Sequence, residues 1–202
     1  MRDPDREVQT GRVPPTRPLV VLLRGINVGR ANRLAMADFR AVLTELGLQD
    51  VQTVLQSGNA IGRAGGDPAD HERTVHDALA ARGLTVAVLV REVADLALAV
   101  DQDPLAVLAT DPSRHLIGFL AEPLTADART RLTDALQTAQ DSVLDAGDRF
   151  AVVGDHVFLW CPHGVSRSPF GTVPWPARAG VVATLRNART VRSLLDRAAA
   201  LG

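Results

Sequence analysis

Two arginine-bearing segments of this chain have the residue types of an anion site. In the first, Arg24-Gly25-Ile26-Asn27-Val28-Gly29-Arg30 with Arg33 just beyond, two glycines are spaced through a polar loop. Glycine allows backbone N–H groups to turn toward an anion and arginine adds forked donors, which makes Arg24, Asn27 and Arg33 candidate ligand-binding residues. The G-x-G-x-x-G spacing of a dinucleotide site and the lysine of a P-loop are both missing. The alternative is a glycine-rich turn whose arginines are solvated or paired internally.

The second segment, Cys161-Pro162-His163-Gly164-Val165-Ser166-Arg167-Ser168, has the C-x5-R spacing of cysteine-dependent phosphatases, with Cys161 as nucleophile and Arg167 as phosphate ligand. Such a loop works because N–H groups and a guanidinium surround the phosphate and depress the thiol pKa. Against it, arginine is abundant here, Pro169, Pro174 and Pro176 prevent a long following helix, and no general acid is nominated. A buried cysteine at a strand end is the alternative. Ser168, Arg186 and Asn187 complete the candidate ligand set. Asn59, in Ser57-Gly58-Asn59, either contacts a ligand or closes its own turn.

Absent residue types narrow the chemistry. Every one of the 22 basic residues is arginine and tyrosine is missing, so Schiff-base lysines and tyrosine general acids are excluded. The five histidines form no metal motif: His71 and His76 fall on different helix faces, and His156 and His163 flank Cys161 without a second ligand pair. No metal and no cofactor is expected. With one cysteine no intramolecular disulfide forms, which suits a reducing cytoplasm.

Charge is unevenly placed although the net value is only −1. Residues 1–40 hold eight arginines against four carboxylates (+4), residues 41–160 eight against eighteen (−10), and residues 161–202 six against one (+5). The near-neutral total argues against non-specific duplex binding and leaves room for one local anion site. The arginine-rich motifs of the two ends are therefore expected to share a groove.

These residues need elements to hold them. Leu19 to Leu23 reads as a buried strand; Met36, Phe39, Leu43 and Leu46 lie on one helical face that Gly47 terminates; Val51 to Leu55 reads as a second strand and Ala60-Ile61 as a third. Asp67-Pro68 is an N-cap followed by proline at the first helical position, Gly83 closes that helix, and Leu84 to Arg91 is a fourth strand. This is the split βαβ order of ferredoxin-like domains. The same order starts again at His115 to Leu120, with Thr125 capping a helix, Arg149 to Val153 paired with Val157 to Cys161, Val181 to Leu185 as the last strand and a helix over Ala188 to Ala200.

The fold class expected is α+β, a tandem pair of ferredoxin-like halves. The boundaries are a flexible lead-in (1–17), a first half (18–91), a connecting helix and linker (92–113) and a second half (114–202). No residue-level repeat is visible. Several strands are apolar on both faces, which requires cover on each side of the sheet; the other half is its simplest source. Apolar runs are far shorter than the roughly 20 residues that span a bilayer, so no membrane segment is expected.

Leu22-Leu23-Arg24-Gly25-Ile26-Asn27-Val28-Gly29, then Met36, then Gln56-Ser57-Gly58-Asn59 resembles the signature of the domain-of-unknown-function 1697 family of bacterial proteins. Gly164 to Ser168 and Thr184 to Val191 are similar to that family's C-terminal motifs, with Pro169 in place of its usual lysine and Ala188 in place of its usual tryptophan. The resemblance implies the fold class and the choice of motifs; the family carries no established activity. Three functions stay open: binding of a phosphate-bearing ligand such as a nucleotide or RNA end, hydrolysis through Cys161 and Arg167, and a protein-interaction role without catalysis.

Overall fold

The computed structural model describes residues 15–27, 32–143 and 147–201. The expected lead-in lies outside these except for residues 15–17, as does Val28 to Arg30 of the first loop. The first half runs β1 (Arg17–Arg24), α1 (Met36–Glu45), β2 (Gln49–Val54), β3 (Asn59–Ala64), α2 (Pro68–Ala80) and β4 (Ala87–Glu92), followed by α3 (Val93–Asp101). The second half runs β5 (His115–Leu120), α4 (Ala126–Asp141), β6 (Arg149–Val153), β7 (His156–Trp160), two short helices α5 (Pro169–Thr172) and α6 (Trp175–Ala179), β8 (Ala183–Asn187) and α7 (Ala188–Ala199). Each half forms one four-stranded antiparallel sheet, ordered β2-β3-β1-β4 and β6-β7-β5-β8. The molecule is thus mixed α and β, with two sheets and seven α-helices among the described residues. None of those helices is long and apolar enough to cross a membrane.

The caps read from the sequence form. The Asp67 carboxylate accepts the Ala69 N–H at 2.8 Å, and the Thr125 hydroxyl accepts the Ala128 N–H at 3.2 Å. Gly47, at φ 90°, ends α1 in the left-handed region that only glycine enters without steric cost. Three strands shift by a few residues for local reasons. Leu55 takes φ 60° and leaves the sheet, so β2 stops at Val54. The Leu84 N–H still bonds the Leu79 carbonyl at the close of α2, so β4 starts at Ala87. The Val181 N–H bonds Pro176 O after α6, so β8 begins at Ala183 and runs to the cap of α7.

Strand alternation explains why both faces are apolar. Leu19, Val21 and Leu23 of β1 face α1 and α2, burying against Phe39, Leu43 and Leu79. Val20 and Leu22 face the other way, into a core shared with Ile117 and Phe119 of β5, Phe158 of β7, and Leu96 and Leu194 of α3 and α7. A third core lies under α4, α5 and α6. The halves therefore cover each other, with α3 and α7 contributing to the shared core.

The seam is also fastened by polar contacts, and these repeat. In the first sheet Val20 of β1 stands opposite Arg91 of β4; in the second, Ile117 of β5 stands opposite Arg186 of β8. Both arginines sit one residue before a helix cap, Glu92 for α3 and Asn187 for α7. Each then reaches into the opposite half. Arg186 Nη2 donates to Leu23 O at 2.6 Å, and Arg91 Nη2 donates to Leu120 O, the residue of β5 that corresponds to Leu23 by sheet register. Nη1 of each donates to the carbonyl of its own preceding residue, Leu185 or Val90. The two halves thus grip each other's central strand ends through equivalent guanidinium groups.

Arg186→Met removes the donor for several main-chain carbonyls and for Asn59. Unfolding in urea is expected to show a loss of about 2–4 kcal/mol. Arg91→Met should cost less, because Arg91 is more exposed and already shares Glu72. An unchanged midpoint for Arg186→Met would contradict the fastening role.

Candidate functional site, a basic groove between the halves

Arg186, partly buried, is the centre of the site. Its Nε donates to the Asn59 Oδ1, and its Nη2 is shared among the carbonyls of Leu23 (2.6 Å), Ser57 (3.2 Å) and Gly58 (3.5 Å). Nη1 gives one N–H to Leu185 O at 2.9 Å, which leaves its second N–H without a partner among the described residues. Among the described residues no carboxylate pairs with this guanidinium, and burial pulls its pKa down to about 10. A cation taken out of water without a counter-charge is costly, and here carbonyl and amide dipoles stand in for the missing carboxylate.

Arg24 closes the same space from the first half. The two arginines, Gly25, Phe170, Gly171 and residues 173–176 line a groove of about 380 Å3, with no carboxylate among its described lining residues. Arg24 is exposed at the end of β1 and forms no ion pair or side-chain hydrogen bond among the described residues. Of the residues expected to share a groove, Arg24 and Arg186 line this one.

The other candidates take different places. Asn27 is consumed in tying two loops together: its Nδ2 donates to Leu34 O (2.9 Å) and Gln56 O (2.8 Å) while its Oδ1 accepts the Leu34 N–H (2.9 Å). Asn59 is fully buried, and its Nδ2 donates to Val54 O and the Ser57 hydroxyl at 2.9 Å each. It thus closes its turn and also orients Arg186. Ser168 caps α5 by accepting the Phe170 N–H at 3.1 Å, and Asn187 caps α7 by accepting the Thr190 N–H at 2.8 Å. Arg33 and Arg167 are exposed on loops and do not line the groove.

The phosphatase reading meets a physical obstacle at Cys161. The thiol is fully buried, and burial pushes its pKa up to about 11, opposite to what a thiolate nucleophile needs. Arg167, its would-be phosphate ligand, is exposed on a 3-10 turn. Among the described residues no group of three His, Cys, Asp or Glu is placed to hold a metal ion. His115 is a core histidine, 3.2 Å from Asp103 but without hydrogen-bond alignment, and its pKa is lowered by burial against the opposing pull of Asp103.

Arg91, the counterpart of Arg186, lines a groove of about 500 Å3 that sequence reasoning did not pick out. Its charge is compensated: Nη1 donates to Glu72 Oε1 at 2.6 Å, and Asp95, Glu122 and Asp155 line the same space. His156 stands in register where the first half has Asn59, opposite Phe119 as Asn59 is opposite Leu22. The available signal was the placement of Arg91 and Arg186 immediately before a helix cap, each at the end of the fourth strand of its half.

Comparison with known proteins agrees with the sequence resemblance. The family described as "Protein of unknown function (DUF1697)" matches residues 17–158. A solved structure, that of the conserved bacterial protein SP0830 from Streptococcus pneumoniae, is similar with a TM-score of 0.67 at 22% identity, over 91% of this chain and 99% of that one. Nothing matches among curated proteins.

The buried thiol gives a direct test. Because the folded pKa is raised, the stability that protonated Cys161 contributes is present below about pH 9 and lost as pH rises through about 11. A thiol reagent at pH 8 should label Cys161 only at the rate of unfolding, and Cys161→Ala should flatten the loss of stability above pH 9. Rapid labelling of the native protein would contradict the burial.

Proposed function

The chain belongs to the DUF1697 family, and from that premise we propose that it is a binding protein for a phosphate-type anion, held at the seam between two ferredoxin-like halves. The split βαβ order of each half and its β2-β3-β1-β4 type of sheet support the ferredoxin-like reading. One observation carries the binding reading: a partly buried guanidinium that among the described residues has no carboxylate partner and one N–H unbonded, beside a second arginine in the same groove that pairs with none of them.

Two like charges facing one space repel, and an anion between them removes that repulsion while filling the open donor of Arg186. Arg24 is the adjustable partner, since its side chain is exposed and uncommitted. Asn59 fixes the guanidinium plane, and the Asn27 contacts hold the loop that follows Arg24 against the turn carrying Ser57 and Gly58. None of the described residues lining the groove supplies a nucleophile or a general base, which favours binding over hydrolysis.

Inorganic phosphate should raise the melting temperature at low salt, and about 0.5 M NaCl should diminish the effect. Arg24→Ala should weaken apparent phosphate affinity about tenfold, near 1.4 kcal/mol, while leaving the unliganded protein as stable as before. A phosphate effect of equal size in Arg24→Ala would be general salt stabilisation and would overturn the site.

A further inference from the structure

We propose that the anion held by Arg24 and Arg186 is one end of a small molecule whose other end is a flat ring, that is, a ring-bearing monophosphate of mononucleotide size. This rests on the anion reading above and adds to it what the rest of the ligand is. The groove is far larger than a phosphate: about 380 Å3, at the small end of the range of roughly 300–1,000 Å3 for small-molecule sites. Its second-half wall is apolar, formed by Val173, Pro174, Pro176 and Leu185 with Phe170 and Trp175 beside them.

That wall has nothing polar to offer from its side chains. The one candidate donor, the Trp175 indole N–H, is spent on Phe170 O at 3.0 Å within the wall. An inorganic phosphate would leave these apolar faces in water, and a sugar phosphate would set hydroxyls against them unbonded. A ring with two hydrophobic faces covers them, as proline rings and ring faces pack flat on each other. On the first-half side, Gly25 carries no side chain, and a Cβ built there would meet none of the described residues within 4 Å, so they leave space facing the wall.

A polymer fits less well than a monomer. A bound strand follows many basic contacts, one per phosphate, whereas two arginines line this groove and the other groove at the seam carries Asp67, Glu72, Asp95, Glu122 and Asp155. The lack of polar side chains among the described residues of the wall further implies weak discrimination between rings. Adenosine monophosphate and phenyl phosphate share the required chemistry and distinguish its source.

Trp175 lines the groove and reports on it. In a Trp160→Phe background it is the sole tryptophan, and its emission should change saturably with adenosine monophosphate and with phenyl phosphate. Each should bind at least about tenfold more tightly than inorganic phosphate measured by competition, and adenosine without phosphate should be weaker still. Pro174→Ala should weaken both ring-bearing ligands about threefold or more and leave inorganic phosphate unchanged; Arg24→Ala should weaken all three. Saturation-transfer NMR on the unmodified protein, reading the ring protons, gives the same comparison without any variant. A gain for adenosine monophosphate over phenyl phosphate assigns the ring to a nucleoside, and equal gains assign it to an aryl group; both support the inference. If inorganic phosphate binds in an Arg24-dependent way and neither ring adds affinity, the ring is wrong and the anion site stands. If none of the phosphates binds, both fall.

Discussion

A guanidinium drawn into the seam with no carboxylate partner among the described residues governs this architecture. Desolvating a charge costs several kcal/mol, and the usual remedy is an ion pair. Arg186 instead gathers main-chain carbonyls from β1 and from the turn before β3, together with the amide oxygen of Asn59. Those acceptors belong to the other half of the molecule. The cation can be buried only while the halves are together, so the electrostatics of one residue and the docking of two sheets are the same constraint. The apolar side of the seam, from Val20 and Leu22 to Ile117 and Phe119, supplies most of the burial but has no direction of its own. The arginine contacts fix which strand ends meet.

The same device is used twice with opposite electrical outcomes. Arg91 takes hold of Leu120 O and Ala121 O as Arg186 takes hold of Leu23 O, yet Glu72 neutralises it, and further carboxylates surround its groove. The acidic excess of the middle of the chain is thus spent partly at the Arg91 end of the seam. The Arg186 end draws on the basic ends of the chain and has no acid among its described lining residues. A near-symmetric scaffold thereby presents one compensated groove and one with an open positive charge, and only the latter invites an anion.

Much of the scaffold was legible in the sequence because its signals are local. Asp67-Pro68, Thr125 and Gly47 mark helix ends through the chemistry of their own side chains, and the doubly apolar strands announced cover on both faces. The strand ends moved where backbone conformation departed from what side chains advertise, as at Leu55 with its positive φ. Of the candidate residues, Arg24 and Arg186 do face one groove, whereas Asn27, Ser168 and Asn187 are taken up by loop ties and helix caps, uses that short polar side chains serve at least as readily as ligand contact. Arg91 escaped notice because it lies in the acidic middle segment, with no glycine-rich loop beside it. The repeat between the halves is carried by one arginine, one cap position and the sheet register, too little for residue-level similarity to reveal.

The open charge beside Arg186 is best tested by locating an anion directly. Crystals grown without phosphate or sulfate and soaked in tungstate, a tetrahedral anion with strong anomalous scattering, should show a peak within hydrogen-bonding reach of the guanidinium groups of Arg24 and Arg186, and none beside Arg91. No peak beside Arg24 and Arg186, or a carboxylate found bonded to Arg186 in its place, would contradict the account.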